Sequence, residues 1–161
     1  MANSDVTTSI NSGHTHARHA RHMPYMAEAE VDMATALANR VGGGALVAND
    51  VILAMDIPAK TLIMAAGIEV VTATDGGTLT VDMATAADAD AFVDGMDISD
   101  SVAAGTMSAV PEAGTPSIMC SAADTLDITL ATQGGNAITS GKLRVWAILC
   151  DCTGTVSAGI A

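Results

Sequence analysis

From residue 46 onward, apolar and polar residues alternate along the chain with a period of two. In segment 78–83 leucine, valine and methionine alternate with threonine and aspartate, and segment 125–130 shows a similar alternation. A period of two places every second side chain on the same face of a β-strand. We therefore predict two half-buried strands, each with its apolar face toward a core.

Three further segments have apolar residues on both faces of the predicted strand, namely 47–58, 60–73 and 142–152. Such runs are typical of strands that are covered on both faces. Clusters rich in glycine and other turn-forming residues separate the predicted strands, at 75–77, 113–116, 133–136 and 140–141.

Several strands at short spacing, with turn chemistry between them and no alternating helices, predict an all-β fold. We interpret residues 45–161 as an antiparallel two-sheet β-sandwich domain of jelly-roll-like arrangement. A single β-barrel is the alternative that this pattern leaves open.

The segment before this domain has a different pattern. Apolar residues recur at helical spacing between Val31 and Ala38, with acidic residues before them, and this predicts one short helix within 27–40. Three consecutive glycines, 42–44, end the helix and predict a hinge, because they have no side chains to pack. We interpret residues 1–44 as an extended N-terminal arm that carries the helix.

The composition limits the ligands that such a sandwich could bind. Of the 161 residues, 50% are hydrophobic but only 2% are aromatic, namely Tyr25, Phe92 and Trp146. Proteins that read single-stranded nucleic acid stack bases on aromatic rings, and many small-molecule sites are lined by such rings. We predict that Trp146 lies in the core and that Tyr25, between two methionines, is an interface anchor.

Charge narrows the range of partners further. With 6 basic and 18 acidic residues the formal net charge is −12, which repels phosphate backbones and anionic lipids. We therefore expect neither a nucleic-acid nor a membrane partner.

The sequence shows no apolar stretch of about 20 residues that could span a membrane. It also shows no signal peptide with a basic segment followed by an apolar one, so we expect maturation in a reducing cytoplasm. Three cysteines, 120, 150 and 152, are too few for a disulfide framework.

The charge is unevenly distributed along the chain. Residues 1–26 contain all four histidines and two arginines against one aspartate, which gives a formal charge of +1. Residues 27–161 hold four basic and 17 acidic residues, a net charge of −13. This asymmetry predicts a slightly basic arm on an acidic body.

The arm supplies the candidate partner-binding residues. They are His14, His16, Arg18, His19, Arg21, His22 and Tyr25. No single regular conformation presents all four imidazoles together, and no carboxylate or thiol lies among them, so we predict no metal site there. We predict instead that the arm lies on an acidic surface of a partner.

Six aspartates fall within segment 82–100, which raises the question of a calcium site. The oxygen-ligand spacing of an EF-hand loop is not met, because Phe92 occupies the third ligand place after Asp88 and Asp90. We interpret the segment as a solvated acidic loop.

The sequence offers little catalytic chemistry. It contains no nucleophile elbow, no zinc-protease helix motif and no phosphate-binding loop, and residues 27–161 contain no histidine. We predict that the protein is not an enzyme and has no cofactor. A hydrolase based on paired carboxylates is the enzymatic alternative that stays open.

Four segments of the chain resemble a known family. They read IPAKTLIMAAGIEVVTATDGGTLTVDMA, ADAFVDGMDIS, SAADTLDITLAT and GKLRVWAILCDC, and they lie within residues 46–152. The succession resembles the capsid decoration, or cement, proteins of tailed bacteriophage heads. The histidine–arginine tract and the Cys-x-Cys ending have no counterpart in that pattern.

The resemblance implies a structural protein of the virion. It implies binding to the major capsid protein on the exterior of the capsid, as a homo-oligomer (a dimer or a trimer), with an extended terminus that crosses subunit boundaries. A head-fibre or receptor-binding module would use the same sandwich and is the first alternative.

Overall fold

The computed structural model describes residues 3–8, 23–86, 88–108 and 117–153, with the backbone alone for 3–8 and for Ala89. These residues form nine strands and one helix, arranged as two stacked sheets. Their bounds are β1 Asn3–Thr8, β2 Tyr25–Asp32, α1 Met33–Ala38, β3 Val51–Ile57, β4 Thr61–Thr72, β5 Thr78–Thr85, β6 Asp88–Asp97, β7 Ile118–Cys120, β8 Asp124–Gly134 and β9 Lys142–Asp151.

The five-stranded sheet has the order β1-β3-β8-β5-β6, and the four-stranded sheet has the order β2-β9-β4-β7. Every pair of neighbours is antiparallel except β1 and β3, which run parallel. The chain passes from β1 to β2 in the other sheet before it reaches β3, and only such a crossover allows a parallel pair. The predicted two-sheet sandwich is confirmed, and the single-barrel alternative is wrong.

The predicted strands supply the core. Segments 47–58, 60–73 and 142–152 contain β3, β4 and β9, while 78–83 and 125–130 lie within β5 and β8. Side chains from both sheets meet between them with no exposed surface, for example Ile52, Ile128, Ile68 and Val145. Burial of these aliphatic side chains is the main driving force for folding, at about 25 cal/mol per Å² of apolar surface removed from water.

The predicted short helix within 27–40 is confirmed, but it begins only at Met33, and the residues before it form a strand. Residues 25–32 form β2, whose residues pair one by one with β9, from Tyr25 opposite Leu149 to Asp32 opposite Lys142. Alternate residues of β2 are buried, and the sequence 27–32 shows the same period of two, to which the prediction gave less weight than to the helical spacing from Val31 onward. The helix begins after Asp32, whose carboxylate accepts hydrogen bonds from the backbone N–H groups of Ala34 at 2.9 Å and Thr35 at 3.1 Å.

The glycine segment after the helix is fixed by an ion pair. Gly42, Gly43 and Gly44 all have positive φ, a conformation that favours glycine. Arg40 donates to the Gly43 carbonyl and, at 2.7 Å, to the buried carboxylate of Asp50. Residues 42–44 thus form a turn that Arg40 holds in place through Gly43 and Asp50. The division into two domains at residue 44 stays a prediction, although the structure builds residues 25–38 into the sandwich.

Two further predictions need correction. The acid-rich stretch is not a loop, since Asp88–Asp97 forms β6 at the edge of the five-stranded sheet, with Phe92 buried against the core.

Trp146 does not belong to the core cluster, where it was predicted to lie. It lies opposite Gly67 on the face of β9 that points away from the other sheet, because its neighbours Val145 and Ala147 point inward. Among the described residues, the one helix is far too short to cross a membrane.

Candidate interaction surfaces

The outward face of the four-stranded sheet is apolar at one end and charged at the other. Strand β9 crosses the middle of this sheet, with alternate residues outward from Lys142 to Cys150. The strand register assigns each outward residue of β9 its neighbours on β2 and β4. Because directly paired residues share a face, the register defines rows of side chains across the sheet.

The apolar end consists of the two rows at Ile148 and Cys150. Ile148 lies opposite Met26 on β2, while Cys150 lies opposite Leu62, which in turn pairs with Met119 on β7. Met64 lies at the irregularity in β4 between Ile63 and Ala65 and is exposed beside them. We call this surface the methionine face and define it by its residues, Met26, Leu62, Met64, Met119 and Ile148.

Three methionines of this face are well exposed to solvent. Met26 is 60% exposed, Met119 50% and Met64 45%, whereas Leu62 and Ile148 are half-buried between them. Isolated exposed apolar side chains are common on monomeric proteins, but neighbouring ones mark interaction surfaces. The methionine face is therefore the candidate interaction surface of the described residues.

The other end of the same sheet carries ion pairs. Lys142 contacts Glu30 at 2.6 Å and Asp32 at 3.8 Å, and Arg144 contacts Glu69 at 2.7 Å. Lys142 lies directly opposite Asp32 and diagonal to Glu30, and Arg144 lies directly opposite Glu69, so opposite charges pair across the strands of the sheet. The hydrogen bond to Glu30, aided by the charges of Glu30 and Asp32, raises the pKa of Lys142.

Trp146 separates the apolar end from the charged end. Its ring lies over Gly67, where an added Cβ would come within 2.5 Å of the ring and 2.8 Å of the Ser108 hydroxyl oxygen. Ser108 belongs to a segment that hydrogen-bonds along β4, accepting from Ile68 N at 3.0 Å through its hydroxyl. The indole Nε1 is buried without a hydrogen-bond acceptor among the described residues. Gly67 thus makes room for the one tryptophan of the chain.

The outward face of the five-stranded sheet has a different chemistry, in which threonine and aspartate dominate. Asp82 pairs with Thr129 across β5 and β8, and Asp56 pairs with Thr125 across β3 and β8. Burial raises the pKa of Asp127 on this face, against a hydrogen bond from Thr125 that lowers it, and nearby Asp124 adds to the rise. The two outward faces of the sandwich therefore differ: one is rich in threonine and aspartate, and the other is apolar at one end and charged at the other.

Most of the residues predicted to bind a partner lie outside the described residues. These are His14, His16, Arg18, His19, Arg21 and His22. Tyr25 is described, at the start of β2, where it packs half-buried against the core. Burial, together with the charges of Asp151 and Cys150, raises the pKa of its hydroxyl. Its role as an interface anchor stays a prediction.

The three cysteines remain thiols in this structure. Cys120 is buried, and its pKa is raised mainly by burial, with a smaller contribution from Asp124. Burial and the neighbouring Cys152 raise the pKa of Cys150. Within the described ranges, no three histidine, cysteine or acidic side chains come together as metal ligands.

Sequence reasoning missed the methionine face, although its residues were visible. Met26, Met64 and Met119 belong to three separate segments of the chain and come together only through strand pairing. The available signal was a methionine at the outward-pointing position of an alternating strand. Without the register, an outward methionine is indistinguishable from one that faces the core.

Comparison with known proteins shows a similar fold in solved structures but no match in sequence. No protein-family model matches the sequence, and no curated protein sequence matches it. Among solved structures, the chain is similar to one in the capsid of Ralstonia phage GP4, with a TM-score of 0.62 and 11% identity over 94% of this chain and 100% of that one. It is also similar to a chain of the cyanophage Pam1 capsid asymmetric unit, with a TM-score of 0.58 and 11% identity over 83% and 87% of the two chains.

Proposed function

We propose that this chain is a structural protein of a tailed-phage head that binds the exterior of the shell as a decoration protein and stabilises contacts between major capsid protein subunits. The observation that carries the proposal is the shared fold with a chain of a phage capsid, which extends over 94% of this chain and the whole of that one. The sequence resemblance over residues 46–152 supports the same role independently.

The surface chemistry of the sandwich fits a protein whose task is assembly. Its described residues present the methionine face, whose three methionines are between 45% and 60% exposed. A binding role needs a stable framework and a docking surface, and both are built here from strand residues. An acidic exterior, with a net charge of −12 overall, also keeps such a protein soluble until it binds.

Binding as an oligomer would strengthen a modest contact. Several weak contacts made by one homo-oligomer combine through effective concentration, so each subunit needs only a small interface with the major capsid protein. The basic tract with Arg18 and Arg21 would add contacts to an acidic surface of a neighbouring subunit.

Co-sedimentation with phage particles tests the proposal directly. Purified protein is added to particles that lack it, the particles are isolated on a density gradient, and the ratio of this protein to the major capsid protein is measured. We expect saturation at a fixed ratio set by the symmetry of the shell. Absence of saturable binding to intact particles would contradict the proposal.

A stability assay separates a cement role from simple decoration. Particles with and without the protein are heated or subjected to osmotic shock, and release of the genome is followed with a DNA-binding dye. We expect release at a higher temperature when the protein is bound. Equal release temperatures at full occupancy would exclude stabilisation and leave attachment to cells or glycans as the role to test.

A further inference from the structure

The methionine face combines exposed apolar side chains with a lack of charge, within a strongly acidic protein. Its three methionines are between 45% and 60% exposed, none of its five residues carries a charge, and the ionisable group beside them is the Cys150 thiol, whose pKa is raised by burial and by Cys152. Building on the proposed function, we propose that the methionine face is the surface by which this chain binds the shell subunit. The matching surface on that subunit is apolar and has a basic rim.

The side chains of this face suit a docking contact. Methionine is unbranched and flexible, so it adapts to an irregular apolar partner, whereas the half-buried Leu62 and Ile148 between the methionines give the face a fixed base. The positions are fixed by paired strands of the sandwich, since Met26 and Ile148 are direct neighbours, as are Leu62 and Met119. Docking therefore requires side-chain adjustment but no movement of the sheet.

Charge identifies the chemistry of the partner. Glu28, exposed on β2, stands two residues beyond Met26 on the same face and has no ion pair among the described residues. The structure describes four basic residues. Arg40, Lys142 and Arg144 are in ion pairs, whereas Lys60, just before β4, forms no ion pair among the described residues.

This distribution argues against a second copy of the chain as the occupant. A contact between two copies through this face would place the unpaired Glu28 of each copy at the same interface, with one unpaired lysine in the described part of each chain to offset it. Like charges placed face to face disfavour association, while a basic rim on a different protein attracts the acidic border of this face. The shell subunit is therefore the occupant that charge complementarity favours.

The test replaces two exposed methionines of the face by a polar residue of similar size. In Met64→Gln/Met119→Gln the fold is retained, because both side chains are already about half in water. The matched control is Val41→Gln/Val47→Gln, which also removes two exposed apolar side chains, 71% and 42% exposed, from the segment between α1 and β3. Circular dichroism and thermal melting verify that both variants fold like the unaltered protein.

Binding to particles that lack the protein is measured by co-sedimentation at increasing protein concentration. We expect the methionine variant to bind particles with a dissociation constant at least about tenfold higher than that of the unaltered protein. The dissociation constant of the valine variant should stay within about twofold of the unaltered value. We expect Glu28→Gln to reduce the salt dependence of binding, since it removes one acid that faces the basic rim.

The outcomes distinguish this inference from the proposed function. If the unaltered protein does not bind particles, the proposed function fails. If it binds and the methionine variant binds equally well, the proposed function stands and the assignment of the face is overturned. Sedimentation velocity of the purified proteins supplies a third outcome: if the methionine variant loses an oligomeric state that the valine variant keeps, the face binds a second copy and the inference is likewise overturned.

Discussion

The Trp146 ring occupies its place because residue 67 is a glycine and has no side chain. The two residues are paired across β4 and β9, and the indole lies where a Cβ of residue 67 would be. In a strand interior, glycine usually lowers stability, because it increases the backbone entropy of the unfolded chain and has no side chain to pack in the folded one. Here that cost is offset by the burial of the indole ring on the outward side of the sheet.

We expect Gly67→Ala to destabilise the protein by about 1–3 kcal/mol, because the new methyl group would lie 2.5 Å from the Trp146 ring. Urea denaturation gives the free energy of unfolding, and the emission maximum of the one tryptophan reports displacement of the ring toward solvent. Gly134→Ala is the control, since its Cβ would meet only Thr78 at 3.8 Å. Equal stability of the two variants would show that the ring does not occupy this place.

Asp75 joins two loops at one end of the sandwich. Its carboxylate accepts hydrogen bonds from the backbone N–H groups of Thr139 at 2.8 Å and Ser140 at 3.0 Å, and from the Thr139 hydroxyl. Partial desolvation opposes the charged form, but these hydrogen bonds outweigh it and lower the pKa of Asp75 to about 2. The β4–β5 turn and the segment before β9 are thereby held together.

This pKa makes the contribution of Asp75 to stability dependent on pH. The folded pKa of about 2 lies below the ordinary value of 3.8, so the stabilisation is fully present above pH 4 to 5 and is lost as the pH falls toward 2. We expect Asp75→Asn to be less stable than the unaltered protein at pH 7 and nearly equal to it at pH 2. A difference in unfolding free energy that is constant between pH 2 and 7 would contradict this expectation.

At the scale of elements, Asp50 links the turn after α1 to the start of β3. Its carboxylate accepts from Arg40 Nε at 2.7 Å, from Arg40 Nη2 at 3.2 Å and from the backbone N–H of Val47 at 2.9 Å, and only 1% of its side chain is exposed. Its own backbone also pairs with Leu130 of β8. A buried, fully hydrogen-bonded carboxylate thus fixes the connection between the helix and the five-stranded sheet.

We expect Asp50→Ala to lower the free energy of unfolding by about 2–4 kcal/mol, because it leaves the Arg40 guanidinium and the Val47 N–H without their acceptor. The control is Asp56→Ala in β3, which removes an exposed carboxylate that has no hydrogen bond or ion pair among the described residues. Thermal and urea denaturation measure both. A loss below about 0.5 kcal/mol for Asp50→Ala would mean that the turn is held by its backbone alone.

The edge strand β2 shows how helix signals in the sequence can be given more weight than a visible strand alternation. Alanine dominates the inward positions of β2, and alanine has a high helix propensity, so propensity and acidic residues both favoured a helix. Pairing with β9 along the whole of β2 outweighed that preference. The exposed Glu28 and Glu30 place negative charge along this edge strand, which disfavours pairing with an edge of another molecule.

At the scale of the whole molecule, acidic charge acts against the folded state. The formal net charge is −12, and the compact protein brings those charges closer together than the unfolded chain does. The described ion pairs, such as Arg144 with Glu69 at 2.7 Å, act in the opposite direction but are partly exposed, and exposed pairs contribute little.

We therefore expect added salt to stabilise the protein. Raising NaCl from 20 to 500 mM shortens the screening length severalfold and weakens the net repulsion, so the melting temperature should rise by a few degrees or more. Differential scanning calorimetry at fixed pH 7 measures the change. A lower melting temperature at high salt would show that the ion pairs, and not the net charge, dominate the electrostatics.

The sequence by itself determined the fold class, the positions of five strands and the uneven charge. These follow from local quantities, namely the alternation of residues such as Leu126, Ile128 and Leu130 and the count of acids. The tertiary structure decided the order of the strands, the location of Trp146 and the grouping of methionines 26, 64 and 119 on one face. Those features depend on register between segments distant along the chain, and a shift of one residue would reverse the face of every side chain in a strand.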